Sequence, residues 1–78
     1  MANAVKAYIC IECKVGFTKE VVEGLKQLKG IKSVEMVTGP YDVIADLELN
    51  SLHEIGESIT QHIQLVNGIT RTVTCLVV

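Results

Sequence analysis

A chain of 78 residues buries only about 60% of its unfolded surface when it folds, so a domain of this size is marginal alone and pairing with a second copy is the natural remedy. Hydrophobic residues at 49% against 21% charged exclude a disordered chain. With a formal charge of −2 and seven basic residues dispersed among nine acidic ones, there is no basic patch for direct nucleic-acid binding.

Met1 to Ala4 leads at once into an alternating segment, so no signal peptide, membrane span or targeting sequence is expected, and the cytoplasm is the expected location. Cys10, Cys13 and Cys75 are an odd number of thiols without an export signal, which points to reduced cysteines. Cys10 and Cys13 spell C-x-x-C, but residues three apart on a strand point to opposite faces and share neither a metal nor a disulfide.

From Val5 to Cys13, Ala7, Ile9, Ile11 and Cys13 alternate with Lys6, Tyr8, Cys10 and Glu12 at the period of a strand. After Lys14-Val15-Gly16, Thr18 is placed to cap a helix carrying Val21, Val22, Leu25 and Leu28 on one stripe. Phe17 and Val22 are spaced for a hydrophobic staple across that cap. Gly30 supplies a left-handed stop after Lys29. Ile31 to Thr38 and Tyr41 to Leu49 read as two strands of a hairpin broken at Thr38-Gly39-Pro40.

Ser51 with Glu54 makes a capping box ahead of Leu52, Ile55, Ile59, Ile63 and Val66. Asn67-Gly68 ends that helix, and Ile69 to Val78 is the last strand. Two tandem β-α-β halves make an α+β fold, a ferredoxin-like βαββαβ sandwich with two helices on one face of a four-stranded antiparallel sheet. One domain is expected over residues 1–78.

The alternation puts Tyr8, Cys10, Val34, Met36, Ile44, Thr70, Thr72, Thr74 and Leu76 on the uncovered face. So apolar a face calls for a partner, and two such sheets stacked face to face make a symmetric dimer of the dimeric α+β barrel type. Tyr8, Cys10, Val34, Met36, Ile44 and Leu76 are the expected interface.

Thr38-Gly39-Pro40-Tyr41-Asp42 resembles the T-G-x-Y-D hairpin of the Lrp/AsnC effector-binding domain. Ala7-Tyr8-Ile9, Gly30-Ile31 with Val34 and Val37, and Gly68-Ile69-Thr70-Arg71-Thr72 with Thr74 extend the likeness over nearly the whole chain. The winged helix-turn-helix of full-length members is missing, so the likeness is to a stand-alone sensor or modulator that co-assembles with full-length relatives. The resemblance implies dimers, rings of dimers such as octamers, and an amino-acid effector bound where dimers meet.

For an amino-acid ligand, Asp42 is a candidate for the ammonium, Gly39 permits close backbone approach, and the amides of Tyr41 and Asp42 are candidates for the carboxylate. Pro40 offers no N–H. The competing reading is turn chemistry alone, in which Gly39 and Pro40 set the backbone and Asp42 satisfies nearby amides. Tyr41 is as readily a packing residue. Thr70, Thr72 and Thr74 are further candidate contacts, or strand formers without a role.

His53 and Glu57 lack further ligands for a metal, and His62 receives no role. No catalytic triad, carboxylate pair or phosphate loop is present, so neither an enzyme nor a cofactor is expected. Three functions compete: an amino-acid-responsive regulatory module, a pure oligomerisation scaffold, and a small enzyme of the dimeric α+β barrel type whose helix-to-sheet cavity would here be lined by apolar residues.

Overall fold

The computed structural model describes residues 4–78; the expectation placed on Met1, Ala2 and Asn3 lies outside them. The element order is β1 (Val5–Cys13), α1 (Thr18–Lys26), β2 (Ile31–Met36), β3 (Val43–Leu49), α2 (Leu52–Gln61), a 3-10 turn (Ile63–Leu65) and β4 (Ile69–Leu76). The four strands form one antiparallel sheet in the order β2-β3-β1-β4. That is the ferredoxin-like arrangement, with β3 and β1 as its central strands and β2 and β4 at its edges.

The core follows from periodicity. Ala7, Ile9 and Ile11 of β1 and Val43, Ala45, Leu47 and Leu49 of β3 face the helices, which return Val21, Val22 and Leu25 from α1 and Ile55 from α2, with Ile63 closing one side. Burial of each such Leu or Ile contributes about 1.5–3 kcal/mol. Gly30 and Gly68 take φ of 88° and 101° where the chain turns back into β2 and β4, but neither glycine stops its helix: α1 ends at Lys26 and α2 at Gln61, short of the expected Lys29 and Val66.

Local signals are met unevenly. Ser51 caps α2, its hydroxyl accepting from the Glu54 N–H at 3.1 Å. Thr18 does not cap α1: Phe17 occupies the cap position without a side-chain hydrogen bond and packs against the core cluster that includes Val22. α1 ends at Lys26, and residues 27–30 follow as turns.

The hairpin is looser than a tight break at Thr38-Gly39-Pro40. The ladder stops at the Met36–Val43 pair, and residues 37–42 form a loop closed by the Val37 N–H donating to the Asp42 carbonyl at 3.0 Å.

Both edge strands carry an irregularity that reverses which side chains face the helices. In β4, Cys13 pairs with Ile69 while Glu12 pairs with Arg71, leaving Thr70 as an extra residue. Beyond it Thr72, Thr74 and Leu76 lie opposite Ile11, Ile9 and Ala7, and directly opposed residues share a sheet face. In β2, Ile31 pairs with Leu47 and Ser33 with Asp46, so Lys32 is extra, and Val34 and Met36 lie opposite Ala45 and Val43. An inserted residue flips everything after it.

Thr72, Thr74, Leu76, Val34 and Met36 therefore belong to the helix side, not to the open face where alternation placed them. The open face holds Tyr8, Cys10 and Ile44 as expected, together with Val73 and Cys75. Lys6, Asp46, Glu12, Arg71 and Glu35 border this apolar centre. Lys6 Nζ sits 3.4 Å from Asp46 Oδ2, and Arg71 Nη1 sits 3.2 Å from Glu12 Oε2.

Candidate functional site

Loop 37–42 and the start of β4 flank the same end of β1. On one side Ile11 pairs with Val43, and the Asp42 N–H donates to the Ile11 carbonyl at 2.9 Å. On the other, Ile11 pairs with Thr72, and the Thr70 hydroxyl donates to the Glu12 carbonyl at 3.1 Å. The structure thus brings Gly39, Pro40, Tyr41, Asp42, Thr70 and Thr72 to one end of the sheet. The two flanks are two strand spacings apart, about 10 Å. Thr74 lies opposite Ile9, about 7 Å further along, and does not join them.

The Asp42 carboxylate is partly committed. Oδ2 accepts from the Cys13 N–H at 2.8 Å, a bond that ties the loop to the strand end. Oδ1 has no hydrogen-bond partner among the described residues. Of the two amides expected to face a ligand, that of Asp42 is spent on Ile11, while that of Tyr41 has no backbone partner among the described residues. Gly39 takes φ 140° with nothing within 4 Å of where a Cβ would stand, so the backbone there is open to approach. Thr38, Gly39 and Pro40 are exposed, and Tyr41 and Asp42 are half-buried.

On the β4 flank, Gln64, Ile69, Thr70, Arg71 and Thr72 line a shallow hollow of about 300 Å³. The Gln64 amide donates to the Thr72 hydroxyl at 3.3 Å. Cys13, absent from the sequence-based candidates, sits between the flanks. Burial first, and the Asp42 carboxylate second, push its thiol up from the ordinary range. Burial, with Cys75 beside it, also raises the Cys10 thiol. Nothing in the C-x-x-C spacing points to these separate neighbours, because they are set by β3 and β4.

Among the described residues no group of three or more His, Cys, Asp or Glu could hold a metal. His53 Nε2 and Glu57 Oε1 are 3.5 Å apart on the surface of α2. No helix of the described residues is long and apolar enough to cross a membrane.

A larger cavity, about 450 Å³, opens between the helices at the opposite end of the sheet. Leu28, Lys29, Leu49, Glu54, Glu57 and Ser58 line it, with Gln27 and His62. Alternation and stripe patterns do not reveal it, because it arises where α1 stops short at Lys26.

The family model of the Lrp/AsnC ligand binding domain matches residues 6–78. A homocitrate synthase of Sulfurisphaera tokodaii is 30% identical over 74 residues, which are 94% of this chain and 16% of that protein. The chain thus spans under a fifth of the length of that relative. In structure, TTHA0845 from Thermus thermophilus superposes with a TM-score of 0.90 at 30% identity, covering 95% of this chain and 92% of the other. The transcriptional regulator NMB0573 of Neisseria meningitidis, solved as its L-Met complex, matches with a TM-score of 0.87 over 95% of this chain and 49% of its own. At 10% identity that likeness concerns the fold.

Proposed function

The chain belongs to the family of Lrp/AsnC ligand binding domains, and on that premise we propose that it is a regulatory module that binds an amino acid at the sheet end built by loop 37–42. The observation that carries this reading is the half-used Asp42 carboxylate beside the open backbone of Gly39. Oδ2 holds the loop in place while Oδ1 is left for an ammonium, and the Tyr41 amide is left for a carboxylate. The regulator NMB0573, a structural neighbour, forms an L-Met complex, which supports an amino acid as the class of ligand.

The whole chain acts as one ligand-binding domain without catalysis or cofactor, in the cytoplasm. It pairs into a homodimer through the open sheet face, and dimers meet in a ring such as an octamer, bringing a second copy to a site whose two flanks stand about 10 Å apart. Full-length Lrp/AsnC regulators are further partners, and the effect on transcription passes through them, not through DNA contacts of this chain. An effector alters such an assembly only by binding one state better than another.

The test is a thermal-shift screen of the purified protein against the twenty amino acids, beside Asp42→Asn. Asn keeps an oxygen for the Cys13 N–H and removes the charge. One amino acid at a hundredfold excess over its dissociation constant adds about 2.7 kcal/mol, raising the midpoint of the wild type and not of the variant. No shift with any of them favours the scaffold reading, in which the Asp42–Cys13 bond is the whole purpose of that side chain.

A further inference from the structure

We propose that the amino acid taken at this sheet end is an acidic one, L-glutamate above all, whose distal carboxylate is held by Arg71 on the β4 flank. The inference rests on the reading of loop 37–42 as an amino-acid site and goes beyond it by naming the side-chain class.

The two charged groups are tied to adjacent residues of β1. Asp42 Oδ2 accepts from the Cys13 N–H at 2.8 Å, and Arg71 Nη1 donates to Glu12 Oε2 at 3.2 Å. Their anchors are thus neighbours in the chain, although β3 and β4 lie on opposite sides of β1.

Among the described residues Arg71 is the one ionised side chain lining the hollow of about 300 Å³ on the β4 flank, with Gln64, Ile69, Thr70 and Thr72. The hollow lies at the bulge, where Thr70 is the extra residue and stands outside the ladder. In its bond from Gln64 the Thr72 hydroxyl is the acceptor, so its own proton is not spent there. Arg71 meets Glu12 through one nitrogen, and its side chain is 66% exposed. A surface pair of that kind holds little energy, and most N–H donors of the guanidinium fork are left over. That planar set of donors, with a hydroxyl beside it, suits a carboxylate.

Length decides which carboxylate. Flanks about 10 Å apart, less a hydrogen bond of about 3 Å at either end, leave roughly 4 Å for the ligand to span. The α-carboxyl carbon of an amino acid lies two bonds from the ammonium nitrogen, about 2.5 Å, too near to serve both flanks, and it goes to the Tyr41 amide. The distal carboxyl carbon of glutamate lies four bonds away, up to about 5 Å; that of aspartate falls a bond short. Glutamine has the length without the charge. Glu12 opposes the ligand's charge, so removing that carboxylate and removing the guanidinium act in opposite directions.

Calorimetric titration of the full chain with L-glutamate, L-aspartate, L-glutamine and L-leucine tests the assignment. Glutamate should bind about tenfold more tightly than glutamine or leucine, the worth of one charge-assisted contact, with aspartate between. Arg71→Gln should bring glutamate down to the level of glutamine, whereas Glu12→Gln should tighten glutamate and leave glutamine unchanged. Both side chains reach solvent, so both variants should fold. NMR amide shifts on adding glutamate should gather at residues 12–13, 39–42 and 69–72.

Glutamine or leucine binding as tightly as glutamate, and lost in Asp42→Asn, overturns this inference and leaves the amino-acid reading standing. Glutamate binding that Arg71→Gln does not weaken overturns it too. Absence of binding by any amino acid overturns both.

Discussion

Replacing Asp42 by Ala removes the oxygen that receives the Cys13 N–H at 2.8 Å and leaves a half-buried amide unpaired, a loss of about 1–3 kcal/mol. Asn supplies an oxygen at the same place, so Asp42→Asn should retain most of that stability. The urea midpoint is expected to fall for Ala and stay close to wild type for Asn, with an unchanged slope. The same carboxylate acts on the Cys13 thiol. Burial and then Asp42 raise its pKa in the folded chain, so folding favours the protonated thiol. That stabilisation is complete below the unfolded value, about 8.5–9, and is lost as pH rises through the higher folded value. Alkylation of Cys13 followed by peptide mass mapping should therefore show a midpoint above that of an ordinary thiol. Asp42→Asn should lower the midpoint without restoring the ordinary value, since burial is the larger cause. An identical profile in both proteins would remove Asp42 from this account.

At the scale of elements, caps and helix glycines separate positions that look alike in sequence. Ser51→Ala should cost about 1 kcal/mol by freeing the Glu54 N–H, whereas Thr18→Ala should change stability by less than about 0.5 kcal/mol because Thr18 caps nothing. Gly24 and Gly56 each interrupt a helix. A Cβ at Gly24 would stand 2.9 Å from Val66 Cγ1, while one at Gly56 would meet nothing within 4 Å. Gly56→Ala should thus gain about 0.5–1 kcal/mol, and Gly24→Ala should not. Thermal unfolding of the four variants checks the contrast; a loss at Gly56 would mean that its backbone freedom is used. The central strands were legible because β1 and β3 alternate without interruption, so Ala7, Ile9, Ile11, Val43, Ala45 and Leu47 take the expected side. The edge strands were not. One extra residue, Lys32 or Thr70, inverts the face of all that follows, and no pattern in Ile31–Met36 or Ile69–Leu76 marks it. At the candidate site the break at Thr38-Gly39-Pro40 was legible from its turn residues, while the choice of Asp42 and Thr70 as candidates came through the family resemblance. The Asp42 bond to Cys13 was not legible, since it joins residues 29 apart in sequence.

For the molecule as a whole, the corrected register changes what the open face offers a second copy. Without Val34, Met36 and Leu76 its apolar part contracts to Tyr8, Cys10, Ile44, Val73 and Cys75, bordered by the Lys6–Asp46 and Arg71–Glu12 pairs. A greasy sheet face would stack with little preference, whereas an apolar centre with charged borders sets orientation as well as attraction. Ile44 lies at the middle of this surface, opposite Cys10 on one side and Glu35 on the other. Its side chain points away from the core, so Ile44→Glu should leave the fold intact while placing a charge where two sheets would meet. Light scattering after size exclusion should then find dimers or larger rings for wild type and monomers for the variant. Because a chain of this size is marginal alone, the unfolding midpoint of wild type should rise with protein concentration and that of the variant should not. A wild-type monomer whose midpoint ignores concentration would mean that this face stays in water, and the sensor would then have to work without the assembly on which its regulation is here proposed to depend.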